Sequence, residues 1–356
     1  MRCGSYEHCS AHSDDFLHYI FVICKLSDRQ NYKEFTKFAS YNHKFRALTE
    51  KHYNDFGSWI RRHFHEKVQK LSVDAVFTCP NRDGKLSHGG CVFCDNRTFS
   101  PAYCNGVKGV AEQLEAGKRF FARKYSEMKY LAYFQSFTNT YAPLSRLKEL
   151  YEEALHVTDV VGIVIGTRPD CVDAPLLDYL QHLAEHHFVM IEYGIESAND
   201  ATLRFINRGH NFACAQRAVV ETHKRGLLTG AHVILGLPGE PPEESLRQAS
   251  VISDLPIDML KIHQLQVIKG TKLAEMYQEE PFSLYSPESY MNLVIEYIRR
   301  LRPDIVLDRF VSQSPSGLLL APKWGLKNHE FTDKLDNRMV ELDAWQGDKT
   351  VCQTDC

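Results

Sequence analysis

From Val73 onward, short apolar runs alternate with longer stretches whose apolar residues recur every three or four positions. Few folds accommodate that rhythm. Parallel strands need a crossover long enough to return to the same sheet edge, and an amphipathic helix is the usual one, so the pattern describes a parallel sheet covered by helices. It predicts strands near 73–77 (VDAVF), 129–135 (KYLAYFQ), 160–166 (VVGIVIG), 188–194 (FVMIEYG), 230–236 (GAHVILG) and 259–267 (MLKIHQLQV). Between them, GVAEQLEAGKRFFARKY, LSRLKELYEEAL, APLLDYLQHLAEH, FACAQRAVVETHKRG and EESLRQASVISDL carry the spacing of core-facing helices. With crossovers of a single hand, such units curl the sheet into an α/β partial (β/α)6 TIM-like barrel. Residues 1–48 form an extension without a clear period, and 49–275 the core. A small C-terminal cap over 276–335 contains the helical PESYMNLVIEYIRRLR and the strand-like DIVLDRF, and 336–356 is a polar tail ending in Cys352 and Cys356.

Charge narrows the function classes. Lys and Arg number 42 against 45 Asp and Glu, a net charge of -3, so no overall field directs the chain to nucleic acid or an anionic membrane. The most apolar run, FLHYIFVIC at 16–24, is too short to cross a bilayer and follows the acidic pair Asp14 and Asp15, unlike a signal peptide. A cytoplasmic protein is expected, with its 11 cysteines serving as thiols or metal ligands rather than as a disulfide framework.

In barrels of this kind the chemistry sits where strands end and loops begin. Here those ends read TCPNRDG, QSFTNTYAP, GTRPD, GIES and GLPGE, an accumulation of small and hydrogen-bonding residues that a purely structural rim does not need. The first contains Cys79, followed by Cys91 and Cys94 in a C-x11-C-x2-C spacing with no obvious fourth ligand. Three thiolates fit an iron–sulfur cluster with three protein-held irons and an open fourth. Gly84, Gly89 and Gly90 let the backbone wrap closely, and Phe93 supplies an apolar wall. The alternative is zinc completed by Cys104 or His88, which would make the chain a zinc-stabilised, nonenzymatic nucleotide- or RNA-binding protein. Placement at the mouth of a barrel, opposite four other polar strand ends, favours the cluster.

The segments DAVFTCPNRDGKLSHGGCVFC, YFQSFTNTYAP, GTRPDCV, EYGIESANDATLRFINRGH and HVILGLPGE, in this order, resemble the radical S-adenosylmethionine (radical SAM) superfamily. More narrowly they resemble its YhcC-type subfamily, whose core is similar to the radical domain of the elongator catalytic subunit. The commonest spacing in the superfamily is C-x3-C-x2-C, from which the eleven-residue interval departs.

The resemblance implies a radical SAM core domain over 49–275 and an enzyme that reductively cleaves S-adenosylmethionine (SAM) at a 4Fe-4S cluster. The 5'-deoxyadenosyl radical so formed would act on an unidentified substrate. It implies Cys79, Cys91 and Cys94 as cluster ligands and Phe93 beside the adenine. Gln135, Ser136, Asn139 and Thr140 stand where relatives bind the methionine ammonium, here with amides and hydroxyls in place of a carboxylate. Thr167 and Arg168 would meet the ribose and a carboxylate, and the segment with Glu192 and Glu196 the ribose. Arg208 would meet the methionine carboxylate, and the turn at Gly236 would let backbone approach the adenine. An electron donor such as flavodoxin or ferredoxin is implied as a partner, no membrane is, and tRNA would be a substrate by analogy with the elongator subunit alone.

Overall fold

The computed structural model describes residues 51–98, 100–104, 109–122 and 128–350. The N-terminal extension and the cysteines Cys3, Cys9, Cys24, Cys352 and Cys356 lie outside the described residues.

A helix, α1 (Phe56–Phe64), precedes the first strand, β1 (Val68–Val73). Then follow α2 (Val110–Ala122), β2 (Lys129–Phe134), α3 (Leu144–Leu155), β3 (Val160–Thr167), α4 (Ala174–Leu183) and β4 (Phe188–Glu196). The chain continues through α5 (Asp200–Phe205), α6 (Phe212–His223), β5 (Leu228–Leu235), α7 (Pro242–Ser253) and β6 (Met259–Gln264). Beyond these lie β7 (Val267–Ile268), α8 (Lys272–Glu279), α9 (Pro287–Ile298), β8 (Val306–Arg309), β9 (Leu319–Ala321) and α10 (Asn328–Glu341).

Among the described residues, seven strands form one parallel sheet in the order β1-β2-β3-β4-β5-β6-β8, so the partial barrel has a seventh strand. DIVLDRF, read from sequence as part of a cap, supplies that strand. The short pair β7 and β9 is antiparallel and separate. The curl of the main sheet is visible across its lumen: Lys70 on one edge strand lies 2.8 Å from Asp308 on the other. Beside it, Leu307 N–H donates to Asn54 O at 2.8 Å, covering the outer edge of β8.

Side chains alternate between the two faces of each strand. Outward residues such as Phe134, Ile163, Ile165, Ile191, Tyr193 and Val233 pack under the helices. Inward residues at the N-terminal ends of the strands, among them Leu131, Val164, Met190, Met259 and Val306, pack with Ile60, and Phe56, Trp59 and Phe64 of α1 close that end of the lumen. α3 shows the helix logic: Leu147, Leu150, Tyr151 and Ala154 are the residues it buries, at three- and four-residue spacing. Gly162 is required where β3 meets β4, because a Cβ there would lie 2.2 Å from the Phe188 carbonyl oxygen.

β1 begins and ends earlier than VDAVF suggests. Val73 is its last residue; Val76 has a left-handed φ of 58° and is 82% exposed. The stretch read as a polar tail contains the second half of α10, which buries Phe331, Leu335 and Met339, and Gln346 Nε2 donates to Arg302 O and Ile305 O.

Candidate active site

All three cysteines of the C-x11-C-x2-C segment line one cavity of about 190 Å³ at the C-terminal ends of the strands. Neither Cys104 nor His88, the residues that could complete a zinc site, lines it. Cys104 instead directs its thiol to Ser72 O at 3.4 Å, and the His88 ring lies against Gly84. Burial, with the neighbouring Cys91, pushes the Cys94 thiol up to about 11, against the pull of Arg82 and Arg208.

The loop between Cys79 and Cys91 is tightly made. Arg82 and Asp83 N–H groups donate to Cys79 O, Gly90 N–H donates to Asn81 O, and the Arg82 guanidinium donates to Cys94 O at 2.8 Å. Asn81 is fully buried and its amide bonds Asn207 O and Arg208 O, which ties this loop to the α5–α6 connection. That connection needs Gly209, at φ 79°, since a Cβ there would sit 2.5 Å from Asn81 Oδ1.

Of the other residues picked out from sequence, Phe93, Gln135, Thr167, Arg168, Glu192, Glu196 and Arg208 line the same cavity. Ser136, Asn139, Thr140 and Gly236 do not. Ser136 is buried against Ser100. Asn139 Nδ2 donates to Gly166 O at 2.7 Å, and Thr140 bonds Thr167 and Cys171 O, so both hold the β2–α3 loop to the end of β3. Gly236, at φ 90°, turns the chain beside Tyr285.

Two arginines take different roles. Arg168 is 2% exposed and gives Nε and Nη2 to Asp170 at 2.9 Å each, while its Nη1 is buried without a partner. Arg208 Nη2 donates to Gly194 O at 2.6 Å, its Nη1 lies 3.5 Å from Cys91 Sγ and Glu196 is 3.5 Å away, while its Nε, too, is buried without a partner. Glu196 adopts a left-handed φ of 68° where the β4 register slips, which swings its carboxylate back toward Arg208. A Cβ on Gly194 would meet both side chains.

Below the mouth lies a buried charge network that sequence reasoning missed. Glu192, 1% exposed, sits 2.6 Å from Lys261, 2.9 Å from His232 and 3.4 Å from Lys70. Lys70 and Lys261 also reach Asp308, and Lys261 donates to the Tyr133 hydroxyl at 3.0 Å. Burial alone would raise both carboxyls, but Lys261 and Lys70 hold Glu192 well below the usual range and Asp308 at about 2. Burial, helped by His232, drives His263 well below the ordinary imidazole range, so it stays neutral. The available signal was a charged or imidazole residue within an apolar strand of a sheet covered on both faces: Glu192 in VMIEYG, His232 in AHVIL, Lys261 and His263 in LKIHQ.

A larger groove of about 930 Å³ lies outside the mouth, with Cys171, Cys214 and His210 in its wall. It contains none of the three cysteines, which line the smaller cavity.

A parallel, curled sheet with helices outside and three thiols on the loop after its first strand defines the class. The Radical SAM superfamily matches residues 83–247, and the Radical_SAM C-terminal domain matches 257–341. The chain belongs to the radical SAM superfamily, a family of enzymes. Within it, the chain is similar to the uncharacterized protein YtqA of Bacillus subtilis (34% identity, 84% of this chain and 93% of that one) and to protein YhcC of Escherichia coli (35% identity, with the same coverage). The fold is similar to that of the archaeal Methanocaldococcus infernus Elp3 with an N-terminal deletion, with a TM-score of 0.59 at 16% identity over 79% of this chain and 64% of that one. Among the described residues, no helix is long and apolar enough to cross a membrane.

Proposed function

We propose that the chain binds a 4Fe-4S cluster through Cys79, Cys91 and Cys94 and presents SAM to it across the cavity mouth. The observation that supports this reading is three thiols lining one cavity with Cys104 and His88 both directed elsewhere, the arrangement that a cluster with one iron open to a small molecule would require. When bound, the pair would supply reductive cleavage of the sulfonium and a 5'-deoxyadenosyl radical for hydrogen abstraction.

The chain's own residues divide the remaining tasks. The unpartnered Arg168 Nη1 suits a carboxylate oxygen, with Asp170 holding the fork in place. Phe93, Gln135, Thr167 and Glu196 line the space that an adenosine and an amino-acid end would fill. Ser136, Asn139, Thr140 and Gly236 act indirectly, by fixing the loops. Closure of the lumen by α1 keeps water from the far side. Glu192 belongs to the floor, where a substrate would rest, rather than to the ribose site.

The electron would come from a low-potential donor of the flavodoxin or ferredoxin kind, and the compartment that suits such a cluster is the cytoplasm. Anaerobic reconstitution tests the reading. Close to four irons and four sulfides per chain and 5'-deoxyadenosine formed with dithionite are expected, with both lost in Cys91→Ala. Stoichiometric zinc without sulfide in oxygen-free protein would return the chain to the nonenzymatic alternative. RNA binding that weakens with salt would add tRNA as a partner.

A further inference from the structure

We propose that the eleven-residue interval between Cys79 and Cys91 serves to surround the cysteine sulfurs with hydrogen-bond donors and positive charge, and that Arg82 and Arg208 thereby raise the reduction potential of the group those sulfurs hold. This rests on the functional reading above. Arg82 and Arg208 are positioning residues, acting through the thiolates.

The donor shell is specific. Cys91 Sγ has Arg208 Nη1 at 3.5 Å and Asn81 Nδ2 at 3.8 Å; Cys94 Sγ has Asn96 Nδ2 at 3.8 Å. Arg82 bonds Cys94 O and lies within the electrostatic reach of all three cysteines. Each donor is itself held. Asn96 Oδ1 accepts from Phe137 N–H at 2.9 Å, Asn81 is fixed by two carbonyls, and Arg208 is locked by Gly194 O. The loop supplies one of the three sulfur donors, Asn81, together with the cation Arg82, and a three-residue spacing has no room for the turn that folds them back. Gly90 marks that fold, since its φ is 84° and a Cβ would lie 2.9 Å from Arg82 Nε. Asn207 Nδ2 donates to Gly90 O at 2.9 Å and pins the return to the loop that carries Arg208.

The sign follows from charge. One-electron reduction adds a negative charge to a cluster already bearing thiolates, and no bond breaks. Donors to sulfur and nearby cations stabilise the reduced state and raise the potential. Glu196 beside Arg208 offsets part of that charge. On this reading the two terminal nitrogens of Arg208 serve Cys91 and Gly194, and only Nε, buried without a partner, is left for the methionine carboxylate, the role that the sequence resemblance suggests.

The test uses reconstituted full-length protein without SAM, titrated with dithionite and mediators while the reduced-cluster electron paramagnetic resonance signal is followed. Arg208→Gln and Arg82→Gln should each lower the reduced-to-oxidised ratio at a fixed potential about tenfold, about 59 mV for one electron, with partial recovery in the lysine variants. Unchanged potentials in both glutamine variants overturn the inference while leaving the cluster reading intact. So does an Arg208→Gln protein with an unaltered SAM-free potential and weakened SAM binding, which would return Arg208 to the carboxylate. Should Arg208→Gln fail to assemble a cluster, the half-buried Arg82→Gln decides alone. A wild-type protein with no iron or sulfide refutes the functional reading itself, as a separate result.

Discussion

Replacing Lys261 with methionine removes one cation from a site that holds two cations and two carboxylates, and the consequence can be worked from the distances. Lys261 is 4% exposed and contacts Glu192 at 2.6 Å and Asp308 at 3.3 Å. Without it both carboxylates share Lys70, and Glu192 keeps only that contact at 3.4 Å and His232 at 2.9 Å. Breaking a buried pair leaves charge uncompensated at a cost of roughly 3–5 kcal/mol, and the surviving partners place the loss near the lower end. For a chain of 356 residues that corresponds to roughly 4–5 °C in Tm. Reduced, metal-free protein melted at pH 8 and pH 5.5 supplies the assay. Glu192, folded, is held well below its ordinary value in the wild type and would be raised above it in Lys261→Met. A carboxyl raised on folding costs more as pH climbs, so the deficit should be larger at pH 8 than at pH 5.5. Adding Glu192→Gln leaves Lys70 and Asp308 as a balanced pair and should recover much of the loss. A deficit equal at both pH values, or no recovery in the double variant, would show that packing of the lysine stem, and not charge, is what the network contributes.

Other expectations are direct. Asp308 is held at about 2 against an ordinary 3.8, so its contribution is complete above pH 3.8 and lost as the pH falls toward 2. Asp308→Asn should cost on the order of 2 kcal/mol at neutral pH, converging with wild type in acid, as followed by chemical denaturation over a pH series. Gly162→Ala places a methyl 2.2 Å from a backbone oxygen that cannot move without parting β3 from β4. It should cost roughly 3 kcal/mol or more in urea unfolding, and near-wild-type stability would mean that the two strands are not this close. Asn139→Ala removes the side-chain bond to Gly166 O at the end of β3, leaving the longer one from the Asn139 backbone N–H at 3.3 Å, and should cost roughly 1–3 kcal/mol and weaken the proposed SAM binding, as followed by calorimetry.

Strands β2 to β6 and the helices between them, apart from the short α5, could be read from the chain to within a few residues, because in a buried parallel sheet covered by helices the burial of each element is written in its own periodicity. β1 was not so legible. Lys70 and Ser72 point into a polar lumen, so KLSV looks less like a strand than the apolar VDAVF beside it, whose Val76 is exposed. Val306–Arg309 looked like part of a cap because nothing in a four-residue segment says which edge it will join.

The cysteine spacing and the polar strand ends were local facts, and they located the mouth, since strand ends and turn residues announce themselves along the chain. Which polar groups face that mouth is a matter of register and of contacts between residues more than a hundred positions apart. Glu192 meets Lys70, Arg208 meets Cys91, and Asn81 meets Asn207 only after the sheet has curled. Electrostatics acts over a few ångströms in space whatever the separation in sequence, so the chemistry was visible in the residues and its wiring only in the fold.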